Sequence, residues 1–322
     1  MMKCPPRILA NLIFVSRPLQ AKYMYHPTSR SQAKDCPGFA VSTDSRMATK
    51  VDQVSEKLRS ALARCNEDRS QKILSPDLVR GLLMPPSIHE ESCDEGCYDE
   101  CLGIVGLPRR PYHNELAKRM LFLTDSTDPL LSAEDMAMSE LPTTKNIHLP
   151  TIPDIFTEAS CLEWLTNVGD EGILRLLGLR NTVGTEAGLL PPDWAELLAA
   201  SRLPHRDLSP PHDSLTVAGR ARCKHAHRGS QDSFFGEVTG GTREKNEAAE
   251  SVLDKILREA AWINIHKSTG IEEIVLEVRV AAGYGARWTA GWSTTPVKPT
   301  DVFFRGFLEP QQVDGHENRW RH

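Results

Sequence analysis

The sequence predicts an α+β fold, in which an N-terminal helical region is followed by a helix packed on a small antiparallel sheet. Three observations carry this. Apolar residues between about positions 50 and 202 recur at helical spacing, with no alternating stretch among them. The strongest amphipathic helix comes after them, in "REKNEAAESVLDKILREAAW". The apolar period then drops to about two, the spacing of a half-buried strand.

In "TKVDQVSEKLRSALARC", Val51, Val54, Leu58, Ala61, Leu62 and Cys65 form one stripe, and the opposite face carries mixed charge. "SPDLVRGLLMPP" offers Ser75 as a cap and Pro76 at the first helical position, and Pro85 ends it. Ser87 with Glu90, Ser132 with Asp135 and Ser160 with Glu163 have the spacing of helix starts. "DEGILRLLGL" and "PPDWAELLAASRL" add short helices, and "SRLPHRDLSPPHD" and "GEVTGGT" read as loops. Thr242 is the expected N-cap of the long helix, whose stripe is Ala249, Val252, Leu253, Ile256, Leu257 and Ala260. "WINIH" is a first strand. In "IEEIVLEVRV", Ile274, Leu276, Val278 and Val280 share one face, and Glu277 and Arg279 the other. "GYG" is a turn, with Gly283 and Gly285 permitting positive φ on either side of Tyr284. "ARWTAGW" and "DVFFRGFLE" complete the sheet. The expected organisation is a disordered or targeting extension over 1–46, a mainly helical region over 47–202 and an α+β region over 203–322.

With 322 residues, 40% of them hydrophobic, the chain can bury a substantial core. A net charge of −5 gives no overall attraction to nucleic acid or anionic membrane, so neither is expected as a partner. No apolar run approaches the roughly 20 residues of a membrane-spanning helix. Eight scattered cysteines fit a reducing interior, which points to a soluble cytoplasmic protein. A mitochondrial location is the alternative. Residues 1–34 hold six Lys or Arg, no Asp or Glu, and the apolar run "ILANLIFV", a composition like that of a transit peptide.

The stretch "RARCKHAHRG" concentrates charge. As a helix from Ser214 it presents Arg220, Lys224 and Arg228 as one stripe, able to hold a phosphate or an acidic partner. As a strand it points His225 and His227 to the same side. With Gly219 before them and Asp232 after, that pattern resembles the first metal motif of the cupin family, although the family's second motif is missing. The resemblance makes His225, His227 and Asp232 candidate metal ligands. In "HEESCDEGCYDEC", Cys93, Cys97 and Cys101 recur every four residues. On a straight helix they lie too far apart along the axis to share one ion, and the expected reading is an acidic helix with a buried cysteine edge that could meet the basic stretch.

The last seventy or so residues hold the better site. His266, Glu277 and His316 are the candidate catalytic groups. Arg279, Arg287 and Arg305 are candidate ligand holders, with Tyr284 and Trp288 as an aromatic rim. No nucleotide-binding or nucleophile motif appears, and no cofactor is expected. The first reading is a binding or scaffold protein whose C-terminal sheet holds a small acidic ligand or protein partner. The alternative is an enzyme using the His/Arg/Glu site, with metal assistance through His225 and His227.

Overall fold

The computed structural model describes residues 45–67, 73–85, 106–125, 157–182, 184–186, 188–205, 214–226, 234–267, 273–292 and 299–310, all within the unit Thr43–His322. The described elements are α1 (Ser45–Glu67), α2 (Pro76–Leu82), α3 (Tyr112–Asp125), α4 (Glu158–Leu176), α5 (Trp194–Arg202), α6 (Val217–Ala226) and α7 (Thr242–Arg258). Strands β1 (Ala260–Lys267), β2 (Ile274–Val280), β3 (Gly285–Trp292) and β4 (Pro299–Leu308) follow. They form one antiparallel sheet in sequence order. The fold is α+β, with helices first and the sheet last, as the switch of period predicts.

Local chemistry sets the helix starts, not always at the expected residue. Ser75 caps α2 as predicted, accepting from the Leu78 amide at 3.4 Å. At α4 the cap is Thr157 rather than Ser160; each side chain accepts the other's backbone N–H. At α7 it is Gly241 rather than Thr242, with Glu244 accepting from the Gly241 amide at 2.9 Å. Gly169, at φ 63°, breaks α4 and frees the Asp170 carboxylate to accept from the Ser75 amide at 2.9 Å. That bond fixes the start of α2 against α4. The candidate starts at Ser87 and Ser132 lie outside the described residues, as does the 1–46 extension apart from Ser45 and Arg46, which open α1.

The sheet has two unlike faces. Ile263, Ile265, Leu276, Val278, Ala286, Trp288, Phe304 and Phe307 point to one side and join a core with Leu253, Ile256 and Leu257 of α7. Helices α5, α6 and α7 pack against this side. The other side carries Trp262, Asn264, His266, Glu277, Arg279, Arg287 and Thr289. Gly283 takes φ 86° in the β2–β3 turn, but Gly285 does not need positive φ. It is an ordinary strand residue where a Cβ would come within 2.2 Å of the Val278 carbonyl oxygen. The outer edge of β1 is sealed by residues far upstream: Arg180 N–H bonds to Ile263 O and Glu186 N–H to Ile265 O, both at 2.8 Å.

Candidate active site

The polar face is organised in rows, because residues opposite one another in a sheet point the same way. One row runs Asn264, Glu277, Arg287, Gly306 across the four strands; the next runs His266, Val275, Thr289, Phe303. His266 and Glu277 are diagonal neighbours, with Nε2 3.6 Å from Oε2, an ion-pair contact rather than a hydrogen bond. Glu277 Oε1 accepts from Arg279 Nε at 2.6 Å. Burial alone pushes the Glu277 carboxyl upward, but His266 and Arg279 more than offset it, and the net position is below the usual carboxylate range. The Glu277 carboxylate raises His266 in turn, against the opposing effect of burial. The carboxylate thus favours the protonated imidazole and the imidazole favours the ionised carboxylate, which sets a proton acceptor and a donor side by side.

The other predicted residues divide. Arg287 stands directly across from Glu277, half-buried, and near enough to oppose the protonation of His266. Arg279 is buried, and its Nη1 donates to the carbonyls of Gly283 at 2.6 Å and Glu309 at 2.9 Å. It locks the hairpin to the end of β4 and positions Glu277, so its donors serve the fold. Arg305 is the extra residue of a β-bulge opposite Arg287 and Trp288, and it reaches Glu273 at 3.8 Å.

The aromatic rim does not form. Trp288 is fully buried on the helix side, its Nε1 donating to Leu197 O and Ser201 Oγ. Tyr284 stacks on Phe234, with ring centroids 4.6 Å apart, in an aromatic cluster with Phe235. His316 lies outside the described residues.

The basic stretch is helical through Ala226, so His225 sits on a helix and not on a strand; the other two residues of the cupin-like reading, His227 and Asp232, lie outside the described residues. Gly219 is small because α7 is close: a Cβ there would come within 2.3 Å of Asn246 Oδ1. Thr216 caps α6, accepting from the Gly219 amide at 2.9 Å, where Ser214 was expected. His225 is buried with Nδ1 2.9 Å from Glu309 Oε1, and its ring lies against Phe235 and Phe307. Arg222 is spent on the Glu237 carbonyl, while Arg220 is half-buried and Lys224 exposed. Among the described residues no group of three His, Cys, Asp or Glu could hold a metal ion. His227, Arg228, Asp232, Cys93, Cys97 and Cys101 lie outside them.

Some features of the face were not anticipated. Asn264 is clamped by two threonines, accepting from Thr185 Oγ1 at 2.7 Å and donating to Thr182 Oγ1 at 2.6 Å. Thr289 Oγ1 and Trp262 Nε1 are buried on this face without a hydrogen-bond partner among the described residues, the kind of unspent group that a ligand can satisfy. Phe303 is 50% exposed. Its position was legible in part: it flanks Phe304 in "FFRGF", and of two adjacent strand residues only one can face the core.

The polar face thus sets a proton donor and a proton acceptor beside an arginine, an arrangement suited to acid–base chemistry. The family model of the CdiA C-terminal tRNase toxin domain matches residues 206–309, about a third of the chain, from the loop before α6 through β4. No curated protein sequence and no solved structure matches the chain. The family similarity overturns the first functional reading: it points to a nuclease, which is the enzyme alternative, and away from a binding or scaffold protein. It also restores nucleic acid as a partner class. Net charge misled there because it averages the whole chain, whereas recognition depends on where the cations sit. No helix among the described residues is long and apolar enough to cross a membrane.

Proposed function

We propose that the chain is a ribonuclease acting on tRNA, with its active site on the polar face of the sheet. The observation that carries this is the diagonal pair His266 and Glu277, set beside Arg287, inside the stretch that resembles a tRNase toxin domain. RNA supplies its own nucleophile, the ribose 2′-hydroxyl next to each phosphodiester. Glu277 accepts the 2′-hydroxyl proton, the 2′-oxygen bonds to phosphorus, and the bond from phosphorus to the 5′-oxygen breaks. His266 donates its proton to that leaving oxygen. The products are a 2′,3′-cyclic phosphate and a 5′-hydroxyl. Arg287 meets the non-bridging oxygens, where charge builds in the transition state.

The reading makes residues 203–322 the catalytic region and the preceding helices its support. Because tRNA is a cytoplasmic substrate, the activity is exercised there. The test is direct. Purified protein is incubated with tRNA and the fragments are sized and their ends analysed. Cleavage leaving a cyclic phosphate, lost in His266→Ala, Glu277→Gln and Arg287→Ala, supports the assignment. Intact tRNA after prolonged incubation with folded wild-type protein overturns it.

A further inference from the structure

The polar row that begins at His266 ends, across all four strands, on an aromatic ring with no ring partner among the described residues. His266, Val275, Thr289 and Phe303 are successive register partners from β1 to β4. Thr289 is adjacent to Trp288, and Phe303 to Phe304; the rings of Trp288 and Phe304 meet in the core at 5.5 Å. Thr289 and Phe303 must therefore face the other side. Phe303 is 50% exposed, and the other large apolar residue so exposed among those described, Leu203, is in a different part of the chain. Among the described residues Phe303 makes no ring contact, although six other aromatic side chains of this region pack together.

An exposed phenylalanine on an edge strand costs solubility and invites pairing with another sheet, so its presence calls for a use. Arg305 is two residues on and, among the described residues, is held by Glu273 alone at 3.8 Å, with both side chains about half exposed. Such a pair contributes little and opens at low cost. We propose that Phe303 and Arg305 form a nucleotide subsite beside the reacting centre, in which the ring stacks on an unpaired base of the substrate and the guanidinium takes its phosphate. This rests on the ribonuclease reading. Three strand spacings of about 4.8 Å put the Phe303 backbone about 14 Å from that of His266. The ring is out of reach of the scissile bond and in reach of a neighbouring base along the same strand of RNA. Stacking of this kind is tolerant of sequence, so the subsite supplies affinity for single-stranded RNA rather than a base code.

The experiment compares wild type, Phe303→Ala and Phe303→Trp on tRNA, with melting temperature and sedimentation measured in parallel. The expected result is a KM about ten-fold higher for the alanine variant, the size of one base–aromatic stack, with kcat held and with tryptophan restoring wild-type KM. Cleavage with an unchanged KM in Phe303→Ala overturns the subsite and leaves the ribonuclease reading standing. So does a change of oligomeric state at unchanged KM, which would assign the ring to a second copy of the chain. Failure of the folded wild type to cut RNA removes both.

Discussion

His266 Nε2 and Glu277 Oε2 lie 3.6 Å apart on adjacent strands, and each holds the other in its charged form. The pair gives a pH profile with a definite shape. Catalysis as drawn requires Glu277 ionised and His266 protonated. Activity therefore falls on the acid side through the lowered Glu277 value and on the alkaline side through the raised His266 value, a bell around the two. Rate measurements carried from the acid to the alkaline side should show both limbs. Glu277→Gln should lower kcat by about 100-fold or more and move the alkaline limb back toward the ordinary histidine value of about 6.5.

The same pair sets a stability optimum. His266, raised in the folded state, contributes stability that is complete below its unfolded value of about 6.5 and is lost as pH rises through the folded one. Glu277, lowered, contributes stability that is present above its unfolded value of about 4.3 and is lost as pH falls through the folded one. Melting temperature should peak between these limits, and the alkaline decline should flatten in His266→Ala.

On the proposed mechanism Arg279 acts through Glu277 rather than on substrate. Its Nε meets the carboxylate at 2.6 Å while its Nη1 binds two backbone carbonyls. Arg279→Met leaves a buried carboxylate short of a partner, at a cost of about 3 kcal/mol in urea unfolding. It should also shift the acid limb of the rate profile upward, because Glu277 loses a group that holds it ionised. A residue of purely structural importance would lower stability without moving that limb.

His225 provides the contrasting case. It is paired with Glu309 and enclosed by Phe235 and Phe307, on the helix-covered side of the sheet. His225→Gln should lower the melting temperature by several degrees, as for a loss of about 1–2 kcal/mol. Its kcat on tRNA should equal that of wild type under identical buffer conditions. A large loss of kcat in a folded variant would restore His225 to the active site.

The alternation that separates Glu277 and Arg279 from Leu276 and Val278 is visible in sequence, because a strand has a fixed period of two. Register between strands is not, which is why Trp288 reads in sequence as a rim residue although it faces the core. With the turn spanning Ala281–Tyr284, Leu276 falls opposite Trp288, and a residue paired with a core leucine is itself in the core. The helix caps shifted for a related reason. Ser160 and Thr242 are good capping residues, but Thr157 and Gly241 complete the reciprocal bonds with the side chains three residues on. The Asn264 clamp was invisible because Thr185 comes from 79 residues upstream, and no local pattern encodes such a meeting.

That distant clamp carries the last prediction. Residues outside the stretch similar to tRNase toxins complete the edge of β1. Arg180 and Glu186 donate to Ile263 and Ile265, the Lys267 amide donates to Gly184 O at 2.9 Å, and Gly106 donates to Ala260 O at 2.8 Å. Thr182 and Thr185 then fix Asn264, the row partner of Glu277. An unsealed edge exposes its backbone groups to water and frays. A fragment comprising residues 203–322 should therefore show faster hydrogen exchange at the Lys267 amide and lower kcat than the full chain. In the full chain, Thr185→Val keeps the shape of the side chain but removes the hydroxyl, leaving Asn264 Oδ1 without that donor. It should cost about 1–2 kcal/mol of stability and lower kcat more than it raises KM, because it loosens Glu277 and does not touch the RNA. Wild-type exchange and turnover in the isolated fragment would show that the sheet holds its active face unaided.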